Sequence, residues 1–180
     1  GAGGHSSLFS KYGAEVVSTD ITFTRTKSTK LKLDLLAGGS TSTRVVQTDA
    51  ETLPFKSSEF DIVYSNGVLH HTLNTERAIS EVSRVLKPNG KAVIMLYCKS
   101  SWHYWFNMVF CVGLLQGKIF SDTANWLGHA TEWGGKNKQQ VLNPITKCYS
   151  ASGIKRLFSD FEILNLRKRE FYFYLTPKIG

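Results

Sequence analysis

The sequence contains few cysteines and no pattern that would use them. Cys98, Cys111 and Cys148 are odd in number and widely spaced within the 180 residues. None belongs to a Cys-x-x-Cys pair, so the sequence indicates neither a disulfide framework nor a metal site. We therefore expect reduced, buried thiols and a reducing compartment.

The chain also lacks a long apolar run and the pattern of a signal peptide. Its longest apolar stretch, WFNMVFCVGLLQG, begins at Trp105 and is shorter than the roughly 20 apolar residues that a membrane-spanning helix needs. The first residues are small and polar, without a basic region followed by an apolar one. These two absences predict a cytoplasmic protein.

Acidic residues are scarce in the second half. Residues 91–180 contain 12 basic and five acidic residues, whereas residues 1–90 contain ten and nine, and the net charge is +8. A basic half indicates an anionic partner, such as a nucleic acid, a membrane face or an acidic substrate, or else a solvated surface. The length and the 42% of apolar residues are sufficient for one globular domain with a core.

Short apolar strands alternate with helical patterns along the chain. The predicted strands are AEVVSTD, TRVVQTD, FDIVYSN and KAVIMLYC, and the predicted helices cover residues 6–12, 22–36, 76–86 and 150–158. This alternation is typical of βαβ units with a parallel sheet and helices on both faces, an α/β fold. The stretch FEILNLRKREFYFYL near the end predicts a further strand or strand pair.

Polar residues end three of these strands, namely Asp20, Asp49 and Asn66. Parallel strands end at one edge of a sheet, where such sheets bind ligands, so we expect these side chains along one rim. The opening GAGGHSS is consistent with a glycine turn that brings backbone N–H groups close to a ligand, or with a flexible terminus. An acid about 20 residues after such a turn is placed to hold ribose hydroxyls.

Each acid also has a simpler interpretation. Asp20 can serve as a helix N-cap, a role compatible with ribose binding, and Asp49 can simply begin a loop. As a ligand-binding residue, Asp49 could accept a hydrogen bond from an adenine amino group, with Leu53 and Phe55 providing apolar cover.

The succession GAGG, VVSTD, TDAETLPF, FDIVYSNGVLHHT and EVSRVLKPNGKAVIM resembles the class I S-adenosylmethionine-dependent methyltransferases. The resemblance is greatest to the type 11 group, which includes quinone-ring C-methyltransferases, and it extends from residue 1 to about residue 97. It implies a Rossmann-like three-layer sandwich with a mostly parallel sheet and S-adenosyl-L-methionine as the cofactor. By the same comparison, the chain is expected to lack the first strand and the last antiparallel strand of that fold.

The resemblance also implies a role for each matching position. Gly1, Ala2 and Gly3 would approach the methionine part of the cofactor. His5 stands at the third glycine of the family's G-x-G-x-G pattern, so either the loop is one residue shorter or His5 lies close to that part. The remaining cofactor-binding positions are Asp20 at the ribose, Ile21 against the adenine, Asp49 and Ala50 at the adenine amino group and ring, and Ser65 and Asn66 near the sulfonium.

Methyl transfer from a sulfonium is an in-line displacement, which needs a base only if the acceptor must lose a proton. His70 and His71 are the candidates for a catalytic base; alternatively, the pair caps or packs against the following helix. Other polar candidates are His103, His129, Glu132, Lys147 and Tyr149.

Residues 100–147 form a predicted insertion within a single domain, rich in aromatic side chains. It would act as a lid over a flat or lipid-like acceptor, as a patch for peripheral membrane contact, or as ordinary core.

The favoured function is methyl transfer to a small molecule, aromatic or lipid-like. The alternatives are an RNA methyltransferase, although no RNA-binding module is visible, an NAD-type oxidoreductase, and a non-catalytic protein with the same fold. The oligomeric state and the choice of O-, N- or C-methylation stay open.

Overall fold

The computed structural model describes residues 3–37, 44–99, 103–115, 120 and 145–168. The chain divides into two compact units, Gly1–Lys56 and Ser57–Gly180, and each is described by itself. The organisation as a single domain with an insertion at 100–147 stays a prediction.

The first unit contains a βαβ element preceded by a helix. Its elements are α1 (Gly4–Lys11), β1 (Val17–Asp20), α2 (Phe23–Ala37) and β2 (Arg44–Gln47). The two strands pair in parallel, from Val17 opposite Arg44 to Asp20 opposite Gln47. Helix α2 buries Thr26, Thr29 and Leu33, which share one face of the helix because they are three and four residues apart.

The second unit contains a second parallel pair of strands with a helix between them. Its elements are β3 (Phe60–Asn66), a 3₁₀ turn (Leu69–His71), α3 (Thr75–Val85), β4 (Leu86–Met95), a π-helical segment (His103–Leu115) and α4 (Ala151–Leu157). In α3, the apolar residues Ala78, Ile79, Val82 and Val85 are buried. The side chain of Asn74 caps this helix by accepting a hydrogen bond from the N–H of Arg77 at 3.0 Å.

Strand β4 begins irregularly. Phe60 pairs with Leu86, but Ile62 pairs with Lys91, so the intervening KPNG residues bulge out of the ladder. Asn89 has a φ of 63° there, a value that asparagine adopts more easily than most residues. From Ile62 to Asn66 the register is regular, and Asn66 lies opposite Met95.

The alternation of strands and helices predicted from the sequence is confirmed, and so is the α/β fold with parallel strands. The strand predicted at FEILNLRKREFYFYL is wrong for its first part, because residues 161–168 form no strand. Leu164 and Leu166 are exposed, and the described residues offer this segment no neighbouring strand with which to form hydrogen bonds. The rest of that prediction, residues 169–175, lies outside the described residues.

None of the helices within these ranges combines the length and the apolar character required to cross a membrane.

Candidate functional site

The glycine turn of the first unit is built around Gly3, the residue that precedes α1. Gly3 is buried and has a φ of 74°, and a Cβ atom added to it would lie 3.0 Å from Cγ2 of Thr29. Glycine is therefore required both by the backbone conformation and by the closeness of α2. Among the described residues no side chain caps α1. His5 is exposed in the first turn of α1, and Gly1 and Ala2 lie outside the described residues.

Asp20 is the last residue of β1, and its carboxylate is held by local hydrogen bonds. Its Oδ1 accepts hydrogen bonds from the N–H of Thr22 at 2.9 Å and from the Thr22 hydroxyl at 2.8 Å. These bonds form a turn before α2, whose first intrahelical bond runs from the N–H of Thr26 to the carbonyl of Thr22. The prediction that Asp20 is the N-cap of this helix is therefore wrong, because Thr22 occupies that position. Ile21 follows with 62% of its side chain exposed, and its carbonyl accepts a hydrogen bond from Gln47 at 3.0 Å.

Asp49 lies two residues beyond β2 and is also fixed by a turn. Its Oδ1 accepts a hydrogen bond from the N–H of Glu51 at 2.9 Å, and its carbonyl accepts one from the N–H of Thr52 at 3.2 Å. Ala50 lies within this turn. Because Thr48 N–H donates to the Asp20 carbonyl at 3.1 Å, the first unit brings Asp20, Ile21, Asp49 and Ala50 together at one end of its strand pair.

Ser65 and Asn66 end β3 in the second unit. The hydroxyl of Ser65 is buried and has no hydrogen-bond partner among the described residues, while Asn66 is exposed. Gly67 follows with a φ of 72°, and a Cβ added to it would lie 3.4 Å from Cε of Met95. An unpartnered buried hydroxyl is costly, and this one lies at the strand end where ligands bind in parallel sheets.

The two neighbouring histidines lie in different environments. His70 is fully buried, at 0% exposure, with its ring centroid 3.9 Å from that of Tyr97 and 4.1 Å from that of His71. Burial, followed by the proximity of His71, lowers the pKa of His70 to about 3. Neither ring nitrogen has a hydrogen-bond partner in the described part of the chain. These features favour a packing role for His70.

His71 is half-buried and contacts the far end of the predicted insertion. Its Nδ1 lies 2.8 Å from the carbonyl oxygen of Ile145 and 3.3 Å from the hydroxyl of Thr146. Its ring meets that of Tyr97 edge-on, with centroids 5.9 Å apart.

Residues 145–149, which we call the return segment, lie at the end of the predicted insertion and are bonded to chain segments on two sides. The N–H of Lys147 donates to the His70 carbonyl at 3.0 Å, and its Nζ donates to the Leu73 carbonyl at 2.7 Å and the Thr75 hydroxyl at 3.2 Å. On the other side, the N–H of Tyr149 donates to the carbonyl of Tyr97 at 2.8 Å. The return segment therefore joins the turn after β3 to the chain that follows β4.

The return segment includes two polar candidates from the sequence, Lys147 and Tyr149. The contacts made by Tyr97 and Ile145 were not predicted, because no motif relates positions that are far apart in the chain. His129, Glu132 and the side chain of His103 lie outside the part of the chain that the structure describes. Within that part, no group of histidines, cysteines and acids could hold a metal ion.

A family model described as a methyltransferase domain matches residues 1–94, which is more than half of the chain. The chain belongs to the methyltransferase domain family. Membership implies S-adenosylmethionine as the methyl donor, as the sequence motifs predict.

Two curated relatives illustrate the similarity of this methyltransferase domain. The ubiquinone/menaquinone biosynthesis C-methyltransferase UbiE of Stutzerimonas stutzeri is 39% identical over 85 residues, covering 47% of this chain and 33% of UbiE. An uncharacterised methyltransferase of Synechocystis is 34% identical over 111 residues, covering 60% of this chain and 50% of the relative. The chain thus spans a third to a half of the length of these relatives.

The fold is also similar to that of a solved structure, the YcgJ protein of Bacillus subtilis. The two structures superpose with a TM-score of 0.60 at 23% identity, covering 88% of this chain and 57% of YcgJ. At this identity the similarity concerns the fold alone, and it supports the Rossmann-like architecture of the methyltransferase domain.

Proposed function

We propose that the protein transfers a methyl group from S-adenosyl-L-methionine to a small-molecule acceptor. The observation that carries this proposal is the arrangement of Asp20 and Asp49 at adjoining strand ends of the first unit, in a chain of the methyltransferase domain family. A strand-end carboxylate after a glycine turn is a common ribose anchor in sheets of this type.

The residues at this end of the strand pair fit the adenosine part of the cofactor. Ribose hydroxyls and the adenine amino group are hydrogen-bond donors, and ionised carboxylates can only accept. Asp20 would therefore bind the ribose, Asp49 the amino group and Ala50, through its N–H, the adenine ring, while the exposed Ile21 side chain packs against the adenine. The bonds to Thr22 and Glu51 already orient the two carboxylates, which reduces the entropy lost on binding.

The other cofactor contacts follow from the family resemblance. The N-terminal turn, with Gly1, Ala2, Gly3 and His5, would hold the methionine part of the cofactor, and Ser65 and Asn66 would lie near its sulfonium. The buried, unpartnered hydroxyl of Ser65 supports a ligand contact at that position.

The bound cofactor supplies an activated methyl group on a sulfonium. The protein has to hold the acceptor in line with that group and keep water away. Alignment of this kind can supply roughly 7–11 kcal/mol of the barrier reduction, so no metal ion is required by the chemistry proposed here.

The acceptor proposed is aromatic or lipid-like, such as a quinone-type ring. The name of the UbiE relative supports this class, and so do the exposed aromatic side chains of the π-helical segment, Trp105 at 60% and Phe110 at 45% exposure. Such side chains, together with the basic second half, also support peripheral contact with a membrane in which lipid-like acceptors dissolve. The location proposed for the protein is the cytoplasm.

The test is calorimetric titration of S-adenosylhomocysteine into the full-length protein and into three variants. Asp20→Asn and Asp49→Asn keep an oxygen for the local turn but remove the charge, and each should weaken binding on the order of ten- to a hundredfold. Asp34→Asn is the matched control, because Asp34 lies on α2 in an exposed pair with Lys30 at 3.6 Å and should bind as the parent does.

Two results would overturn the proposal. One is the absence of S-adenosylhomocysteine binding by the folded parent protein. The other is tight NADH binding that S-adenosylhomocysteine does not displace, which would favour an oxidoreductase.

A further inference from the structure

We propose that His71, and not its neighbour His70, accepts a proton from the methyl acceptor, and that the acceptor belongs to the molecules that lose a proton when they are methylated, such as phenols and hydroquinones. This inference rests on the proposed function. It is carried by the different hydrogen-bonding of the two adjacent imidazoles.

The first step concerns the tautomer of His71. Its Nδ1 lies 2.8 Å from the carbonyl oxygen of Ile145, and a carbonyl oxygen can only accept a hydrogen bond. The proton of the neutral ring therefore lies on Nδ1, and the lone pair lies on Nε2. A hydrogen bond at one ring nitrogen fixes the state of the other in this way in many catalytic and metal-binding histidines.

The second step concerns the accessibility of that lone pair. His71 is half-buried and its Nε2 makes no hydrogen bond to the described residues, whereas both ring nitrogens of His70 are buried. A base must come within hydrogen-bond reach of the proton that it takes. Of the two residues, only His71 has accessible surface at which an acceptor could meet the ring.

The third step concerns how firmly the imidazole is held. The carbonyl of Ile145 belongs to the return segment, which is bonded to His70 through the N–H of Lys147 and to Tyr97 through the N–H of Tyr149. The carbonyl therefore cannot rotate away without breaking these contacts. Such a supporting partner orients a functional histidine before the ligand arrives.

The titratable groups around His71 do not compete for this role. The ring of His70 packs at 4.1 Å and stays neutral, because burial lowers its pKa to about 3. Tyr97 meets His71 edge-on, and the ammonium of Lys147 is occupied by the Leu73 carbonyl and the Thr75 hydroxyl.

The reaction balances with one proton released per methyl group transferred. In net terms, the acceptor exchanges an X–H bond, in which X is oxygen or carbon, for an X–CH₃ bond. The electron pair of the broken methyl–sulfur bond stays on sulfur, which becomes a neutral thioether. The released proton passes to Nε2 of His71, and the imidazolium then returns it to water.

The first measurement is a two-bond ¹H–¹⁵N correlation spectrum of the labelled full-length protein, recorded between pH 5 and 8. We expect the Nδ1–H tautomer for the neutral ring of His71, while the ring of His70 stays neutral in this range because burial lowers its pKa to about 3. The Nε2–H tautomer for His71 would overturn the proposal. This readout needs neither cofactor nor acceptor.

The second measurement uses His71→Asn, whose side-chain amide can still donate to the Ile145 carbonyl but offers no nitrogen base. S-adenosylhomocysteine should bind this variant as tightly as the parent. Methyl transfer to 1,4-dihydroxynaphthalene, a hydroquinone probe, should fall by about 100-fold or more in kcat. Lys155→Gln, an exposed position on α4, is the control and should retain the parent rate.

The failure of this proposal is distinguishable from failure of the proposed function. If the parent binds S-adenosylhomocysteine and His71→Asn retains its rate and pH profile, His71 is not the base. If the parent does not bind S-adenosylhomocysteine, the methyltransferase assignment itself fails.

Discussion

Nδ1 of His71 and the carbonyl oxygen of Ile145 lie 2.8 Å apart, although 74 positions separate the two residues in the chain. The contact connects the turn after β3, where the cofactor's reactive end is proposed to lie, with the end of the segment proposed to cover the acceptor. A rearrangement of the return segment would therefore change the orientation of the His71 imidazole.

Lys147 should be the main side-chain anchor of the return segment. Lys147→Met removes the charged donor of the Leu73 carbonyl and the Thr75 hydroxyl. We expect the free energy of unfolding to fall by about 1.5–3 kcal/mol, the usual range for a hydrogen bond to a charged group. Urea denaturation followed by circular dichroism measures this change.

Lys155→Met is the matched control for that experiment, since Lys155 is exposed on α4. An equal loss of stability in both variants would mean that Lys147 contributes only its charge, and not the two hydrogen bonds.

Gly3 and Gly13 allow the two requirements for glycine to be separated. Both have positive φ values, 74° and 86°, but only at Gly3 would a Cβ meet other atoms, at 3.0 and 3.2 Å from Thr29. Gly13→Ala should cost about 1–2 kcal/mol from the backbone alone. Gly3→Ala should cost measurably more and should also weaken S-adenosylhomocysteine binding. Thermal denaturation and calorimetry test this, and equal effects at the two positions would refute the steric argument.

The three cysteines should differ in reactivity. Cys148 is 7% exposed, and burial raises the pKa of its thiol to about 11, whereas Cys98 and Cys111 are half-buried. The thiolate is the reactive form of a cysteine. At pH 8 the thiolate fraction of Cys148 should be about a hundredfold lower than that of an ordinary thiol. Iodoacetamide labelling followed by mass spectrometry should find Cys148 modified last, with its rate rising toward pH 11.

Unfolding in urea is the internal control for the labelling, since all three thiols should then react at similar rates. Rapid modification of Cys148 in the folded protein would show that the return segment opens or that the thiol is not buried.

Local patterns in the sequence were sufficient to predict the four strands and their parallel arrangement, although β2 ends at Gln47, two residues before Asp49. Each strand of the two parallel pairs is a short apolar run, and Asp20 and Asp49 are placed by the strand that precedes them. Threonine has a low helix propensity, and α2 contains several threonines. In the structure Thr26 is buried and its hydroxyl bonds to the Phe23 carbonyl at 2.8 Å, so the helix accommodates it.

The difference between the two histidines could not be read from the sequence. The 3₁₀ turn Leu69–His71 directs one ring into the core and the other toward Ile145, and the second contact depends on a segment more than 70 residues away. The wrong strand prediction at residues 161–168 has a related cause. An apolar pattern becomes a strand only where another strand supplies hydrogen bonds.

His70 should make the stability of the second unit dependent on pH. Its folded-state pKa is about 3, whereas an ordinary histidine has a pKa near 6.5. Between these values the unfolded chain binds a proton that the folded protein does not bind. The contribution of the neutral His70 ring to the free energy of unfolding is therefore fully present above about pH 6.5. As the pH falls toward 3, this contribution is lost at up to about 1.4 kcal/mol per pH unit.

The measurement is chemical denaturation at a series of pH values between 7 and 4 for the parent and for His70→Leu, which keeps an apolar side chain against Tyr97 and cannot be protonated. Carboxylates contribute equally to both proteins, so the difference between the two curves isolates His70. The parent should lose stability relative to the variant as the solution is acidified, because only the parent has a buried imidazole that must stay neutral in order to remain packed. Parallel curves would show that His70 is accessible to water or is already stabilised in its charged form.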